Sequence, residues 1–264
     1  LIQLLTGVYI IVMAIIENHK PALPDRIAFI ADAHLGMPGD DPRRPEKLVG
    51  FLRWLNGKVS YLYIVGDLFD FWFEYKTVVP NTTPHVLFEL YNIVRRGTRV
   101  TIFAGNHDYW LGPYISSAVG MTVVPDEVVV EHQGRTLYIH HGDGLYPYDH
   151  GYRILKKILR NRLSIKLFGL IHPDCAAWIA RATSKTSRTY LAPPDYQGKN
   201  LKLFRAIADE RLTGGYDAAV YGHAHVPLIE ERPGGTLVLL GDWINYNTYV
   251  FLENGIFTLH RWEQ

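Results

Sequence analysis

From Arg26 onward, short runs of β-branched and aromatic residues alternate with stretches whose apolar positions recur at helical spacing, the pattern of an α/β fold. RIAFIADAH (26–34) and YLYIVGD (61–67) read as strands, and RVTIFAGN (99–106) completes a βαβαβ half. Between them, residues 43–55 carry apolar side chains at 48, 49, 51, 52, 54 and 55 among charges, and Pro84–Arg96 is the next helix. After Val119 the connections shorten. Strands are expected around 122–131, 135–141, 217–221, 228–232, 236–240, 248–253 and 256–262, with Glu253-Asn254-Gly255 as a hairpin turn. An insertion at about 147–196 interrupts this run, so the chain reads as one domain over 26–264.

Residues 1–25 are an apolar N-terminal extension of uncertain role. Its first sixteen residues, LIQLLTGVYIIVMAII, fall short of the ~20 that a membrane helix needs, and no basic segment precedes them as in a secretory signal. The expected reading is an added helix or upstream sequence translated in frame, with Met13 as a start; a membrane anchor is the alternative. With 264 residues and 48% hydrophobic content the chain can bury a full core. Its 27 Lys and Arg against 26 Asp and Glu leave a charge of +1, so whole-chain electrostatics do not mark a nucleic-acid binder. The single cysteine, Cys175, excludes an intrachain disulfide and a thiolate zinc site, which fits a cytoplasmic location.

Five polar motifs stand where predicted strands give way to loops: Asp32-Ala33-His34, Gly66-Asp67-Leu68-Phe69-Asp70, Gly105-Asn106-His107-Asp108, His141-Gly142-Asp143 and Gly222-His223-Ala224-His225. The carboxyl ends of neighbouring strands converge on one crevice, so ligands distant in sequence can meet there. Residues two apart in an extended segment face the same way, which lets Asp32 and His34 share one ion while Ala33 turns inward; His223 and His225 are expected to do likewise. By the same alternation only one of His140 and His141 faces the site, and His141, opening the His-Gly-Asp turn, is the expected ligand. Seven metal-ligand candidates follow: Asp32, His34, Asp67, Asn106, His141, His223 and His225.

Oxygen and imidazole donors suit Mn, Fe or Zn, and two such ions roughly 3.5–4 Å apart can clamp the attacking and leaving oxygens of a phosphoryl displacement. Asp67, with two carboxylate oxygens, is the expected bridge and a catalytic residue. His107 either offsets charge on the phosphoryl oxygens or protonates the leaving group. Asp70 and Asp108 are expected to orient imidazoles or cap helices.

On these motifs, over about residues 26–262, the chain resembles the calcineurin-like metallophosphoesterase superfamily. The resemblance implies an α/β four-layer sandwich, two mixed sheets flanked by helices, with the site at its upper edge. The runs IADAHLG, GDLFDFWFEY and HGDG, a helical insert containing Arg181-Ala182-Thr183-Ser184-Lys185, and Gly241-Asp242-Trp243 further resemble the UDP-2,3-diacylglucosamine pyrophosphatases of lipid A synthesis. That likeness implies two divalent ions, manganese in that family, and cleavage at the α-phosphorus to UMP and 2,3-diacylglucosamine 1-phosphate. It also implies substrate contacts from Asn106, His107, Arg181, Ser184 and Lys185. There is one departure: many members carry Arg after the motif's Asn, where this chain has His107.

The insertion points to a membrane surface independently of that likeness. Between residues 147 and 190 stand nine basic and two acidic residues, a local charge of +7 against −6 for the rest. Residues 154–171 interleave these charges with Ile, Leu and Phe, as in a cap helix that lies on anionic lipid and offers an apolar face to acyl chains. An amphipathic helix packed on the core explains the same pattern. A nucleic-acid patch fits less well, because the insert has few aromatics to stack bases, so no nucleic-acid partner is expected. Trp72, Phe73 and Tyr75 either line the pocket or pack in the core. A general phosphodiesterase, phosphatase or nuclease is the alternative enzyme, and a non-catalytic scaffold would show missing ligands. The expected protein is peripheral on the cytoplasmic membrane face, with its oligomeric state left open.

Overall fold

A computed structural model describes residues 22–37, 39, 41–145, 150–190 and 196–263, apart from the side chains of 181, 183–190, 196, 197 and 199. The first sheet has the order β11-β10-β1-β2-β3-β4, and the second β5-β6-β7-β9-β8. In chain order these are β1 (Arg26–Ile30), β2 (Tyr61–Ile64), β3 (Arg99–Phe103), β4 (Thr122–Val124), β5 (Glu127–His132), β6 (Arg135–His140), β7 (Ala218–Tyr221), β8 (Pro227–Arg232), β9 (Gly235–Leu240), β10 (Thr248–Glu253) and β11 (Ile256–Arg261). Strands β1 to β4 run parallel, as do β6, β7 and β9, while β10, β11, β5 and β8 pair antiparallel. Both sheets are therefore mixed.

Four layers follow from where each strand sends its side chains. Ile27 and Phe29 of β1 enter a core between the sheets with Ile139, Val220 and Val238. Ala28 and Ile30 face the other way, onto helices α1 (Arg44–Leu55) and α2 (Pro84–Arg96) through Phe51, Leu52 and Leu90. Burial on both faces is why β1 is apolar without alternation. Beyond the second sheet, Phe204, Ala208 and Leu212 of α6 (Tyr196–Thr213) pack on Tyr138, Tyr221 and Leu239. Helix α2 starts at a proline and ends at Gly97, whose φ of 114° lets its N–H return to the last turn.

One expected strand is two. Residues 122–131 divide into β4, parallel to β3 in the first sheet, and β5, antiparallel to β6 in the second. Pro125 sits at the division, and proline cannot donate to a ladder, so the chain changes sheets there.

Between β6 and α6 lie α3 (His150–Leu159), α4 (Arg162–Phe168) and α5 (Pro173–Tyr190). Neither α3 nor α4 buries a residue. They are seated by an aromatic contact, Phe168 packing on Trp110 and Phe73 at ring-centroid distances of 4.4 and 5.0 Å, and by polar contacts described below. Trp72 belongs to the helix-side core, whereas Phe73 and Tyr75 line a cavity beside Asp70. Among the described residues no helix is long and apolar enough to cross a membrane. The apolar stretch 1–16 lies outside them.

Candidate metal centre

The five motifs meet where β1, β2, β3, β6 and β7 end, but extended alternation is not what aims their side chains. Asp32, His34, Asp67, His223 and His225 have φ of 55°, 46°, 52°, 59° and 52°. This left-handed conformation is costly for a side-chain-bearing residue and persists where surrounding bonds over-determine it. Here they do. The N–H groups of Asp32 and His34 donate to Gly66 and Asp67 carbonyls at 3.1 and 2.9 Å. Asp32 Oδ2 accepts from the His223 N–H at 2.8 Å, and Asp67 Oδ1 from the His107 N–H at 2.8 Å. Strands expected to reach His34, Asp67 and Asn106 therefore end at Ile30, Ile64 and Phe103. At Gly105 a Cβ would collide with the Asp67 carboxylate, so only glycine allows this approach.

Among the described residues a group of His34, Asp70 and His107 adjoins two further donor groups: Asp32, His34 and His225, and Asp67, His141 and His223. Asp67 Oδ2 stands between them, 3.6 Å from His34 Nε2 and 3.4 Å from His141 Nε2. Asn106 Oδ1 lies 3.2 Å from His141 Nε2 and closes the second group. Asp32 Oδ1 is buried without a hydrogen-bond partner, 3.7 Å from His34 Nε2 and 3.6 Å from His225 Nε2. Donors about 2.1 Å from one ion stand roughly 3–3.5 Å apart, so this oxygen fits a cation better than a hydrogen bond. The seven candidates are thus brought to one place, with donors suited to two divalent ions.

Four of the imidazoles, those of His34, His107, His141 and His225, are aimed by a partner on one ring nitrogen. His141 Nδ1 is 2.8 Å from the Val65 carbonyl. His34 Nδ1 and His107 Nδ1 lie 3.5 and 3.3 Å from Asp70 Oδ1. Among the described residues Asp108 neither orients an imidazole nor caps a helix; it accepts from the N–H groups of Asp67, Phe69 and Gly105 and so pins two ligand loops together. Two roles went unpredicted although their motifs stood out. Asp242 Oδ2 is 3.1 Å from His225 Nδ1, while Oδ1 accepts from the N–H groups of Ile244, Asn245 and Tyr246. Asp143 ties the His141 loop to α3 through Tyr152 Oη at 2.7 Å and Lys156 Nζ at 2.9 Å. His140 faces away, its Nε2 3.4 Å from Asp126.

Charge reinforces the arrangement. Burial pushes the Asp67 carboxyl up, but the pull of His141, His107 and His34 outweighs it and holds it well below the usual range. Burial would lower His141, and Asp67 instead raises it to about 10. His223, buried and repelled by a charged His141, falls to about 4. Burial, then the neighbouring Asp67 charge, lift Asp108 to about 6.

Beside this centre opens a cavity of ≈ 410 Å³, lined by Asn106, His107, Trp110, Leu155, Leu159 and Phe168 among others. Ile179 and Ala180 bring α5 to its wall. Of the contacts expected from α5, the side chains of Arg181, Ser184 and Lys185 lie outside the described residues.

The calcineurin-like phosphoesterase family model matches residues 25–227. UDP-2,3-diacylglucosamine hydrolase of Porphyromonas gingivalis is 29% identical over 256 residues, covering 90% of this chain and 98% of that protein. The enzyme of the same name from Neisseria meningitidis serogroup B is 32% identical over 230 residues, covering 82% and 89%, and that of Xanthomonas oryzae 30% over 240 residues, covering 85% and 94%. The chain therefore belongs to the calcineurin-like phosphoesterase family, as a metal-dependent hydrolase related to the UDP-2,3-diacylglucosamine hydrolases.

Proposed function

We propose that the protein hydrolyses the diphosphate of UDP-2,3-diacylglucosamine, giving UMP and 2,3-diacylglucosamine 1-phosphate, a step of lipid A synthesis. The observation that carries this is the opening of the Asp67-bridged donor groups onto a cavity walled by Trp110, Leu155, Leu159 and Phe168. A phosphoryl-transfer centre joined to an apolar volume suits a substrate whose diphosphate is attached to acyl chains. The relatives' names agree with it.

Asp32, His34, Asp67, Asn106, His141, His223 and His225 would hold two divalent ions. Oxygen and imidazole donors without thiolate suit manganese, iron or zinc, and manganese is the ion that the family resemblance implies. Such ions supply Lewis acidity, which stabilises charge on phosphoryl oxygens and activates water at neutral pH. The protein's part is positioning. Asp67 spans both groups, Asp70 fixes the rings of His34 and His107, and His107 reaches the cavity, where it meets a phosphoryl or leaving oxygen. Water adds to the α-phosphorus, the bond from that phosphorus to the bridging oxygen breaks, and the electron pair departs with the β-phosphate.

The same reading places the enzyme on the cytoplasmic membrane face. Ile154, Ile158, Leu163, Leu167 and Trp178 are exposed on the α3–α5 cap, among exposed Arg153, Lys157, Arg162 and Lys166. Apolar contact plus anionic lipid supplies the two attractions that stable peripheral binding needs. Sedimentation with anionic vesicles, lost at high salt, checks this; equal recovery with neutral vesicles counts against it.

The deciding experiment is product mass spectrometry in oxygen-18 water, with manganese-loaded protein and detergent-dispersed substrate. Labelled UMP with unlabelled lipid monophosphate is the expected result. Label in the lipid product would move attack to the β-phosphorus, and no lipid cleavage beside good hydrolysis of a small diester would replace this substrate with another phosphoester.

A further inference from the structure

The ≈ 410 Å³ cavity is not wholly apolar: Lys156 and Arg160 line it together with Asn106 and His107. Lys156 lies in α3 and Arg160 directly follows it, its N–H donating to the Lys156 carbonyl at 3.0 Å, so the helical turn continues and the two side chains share a face. Two carboxylates hold them. Lys156 Nζ is 2.9 Å from Asp143 Oδ2 and 3.1 Å from Asp126 Oδ1. Arg160 Nη1 donates to the same Asp126 oxygen at 3.1 Å. Its other terminal nitrogen differs. Among the described residues Arg160 Nη2 is buried with no hydrogen-bond acceptor; Asp143 Oδ2, 3.9 Å away, is near enough for an ion pair but beyond hydrogen-bond reach.

A guanidinium nitrogen buried without an acceptor is unfavourable, and guanidinium groups are shaped to grip phosphate through two parallel N–H groups. An Arg fixed by a carboxylate through one nitrogen is pre-organised to meet an anion with the other. The reaction supplies that anion. Cleavage at the α-phosphorus leaves charge on the bridging oxygen and the β-phosphate, and that phosphate must lie on the side where the acyl chains lie. We infer that Arg160, fixed by Asp126 and backed by Lys156, contacts the phosphate that departs with the acylated sugar. The inference rests on the diphosphate reading above and assigns to the end of the first cap helix a contact that sequence likeness sought only at Asn106, His107 and α5.

A purely structural role for Arg160, seating α3 on the Asp126 loop, makes a different forecast. The test compares manganese-loaded wild type with Arg160→Gln and Arg160→Lys in the full chain. Two measurements are taken: kcat/KM on UDP-2,3-diacylglucosamine and on a small phosphodiester, and inhibition of diester hydrolysis by 2,3-diacylglucosamine 1-phosphate. Loss of a charged hydrogen bond should weaken product inhibition about 10- to 100-fold in Arg160→Gln. The loss of kcat/KM should be several times larger on the lipid than on the diester, and Arg160→Lys should recover part of both. Equal losses on the two substrates, or unchanged product inhibition, would overturn the assignment in favour of seating. If the wild type does not cleave the nucleotide lipid, the substrate reading fails by itself. Arg160 is then judged by whether an alkyl phosphomonoester inhibits diester hydrolysis less in Arg160→Gln: weakened inhibition supports the contact, and unchanged inhibition overturns it.

Discussion

Asp32, Asp67 and His141 are at most 1% exposed, whereas α3 and α4, across the cavity from them, bury no residue at all. The rim of the metal centre is held by backbone hydrogen bonds that cross between loops and by carboxylates pinned to N–H groups. Among the described residues α3 and α4 rest on an aromatic cluster, a network of ion pairs around Asp126 and Asp143, and hydrogen bonds from Trp110 to the Leu159 carbonyl and from Tyr152 to Asp143. Ligand placement has to be accurate to fractions of an ångström for the chemistry to run, and burial with redundant bonds provides that. On the function proposed above the cap has to admit two acyl chains, and weaker attachment serves that, because regions with few buried contacts open at little cost. Chemistry and substrate choice are thus built on different physical terms, and perturbations should separate them.

The largest effect is expected at the bridge. Asp67→Ala should lower hydrolysis of both lipid and small diester by about 10³-fold or more, with loss of bound metal by elemental analysis. Near-normal turnover and metal content would remove Asp67 from the centre. Less severe is Asp242→Asn, which weakens the group that aims His225. Metal affinity should fall about 10- to 100-fold, read by titration, while the lipid-to-diester rate ratio holds.

Acidity offers a third probe of the rim. His141 is raised to about 10, burial opposing and the neighbouring Asp67 prevailing, so this imidazole carries a proton at neutral pH in the metal-free protein; His225 is shifted in the same direction by Asp32 and Asp242 against its burial. His223, lowered to about 4, carries none. Metal must displace the His141 proton, so apparent affinity rises with pH, about tenfold per unit for that proton, up to the raised value. Calorimetry in buffers of different ionisation enthalpy should detect release near pH 7; no release would contradict the charge pattern. The smallest effect belongs to the cap. Phe168→Ala removes its contacts with Trp110 and Phe73, and should raise KM for the lipid by about tenfold while barely moving kcat on the diester. Equal changes on both substrates would tie the cap to the chemistry itself.

The sequence by itself determined the alternation of strands and helices, the bounds of α2 and the choice of seven candidate donors, because these depend on local periodicity and residue chemistry. Tertiary structure decided the rest. Asp32 and His34 share a site through left-handed backbone that no alternation rule describes, held by a bond from His223, which lies on the other sheet's rim. Residues 122–131 look like one β-segment, yet the two sheets draw their halves apart at Pro125. Asp108, Asp143 and Asp242 resemble any other acidic residue beside a motif until folding brings their partners to them. Arg160 is one basic residue among nine in its segment until Asp126 engages a single side of its guanidinium. Each of these roles consists of a pairing between distant segments, and pairing of that kind is settled when layers pack, since only then do burial and geometry select one partner from many of equal chemistry.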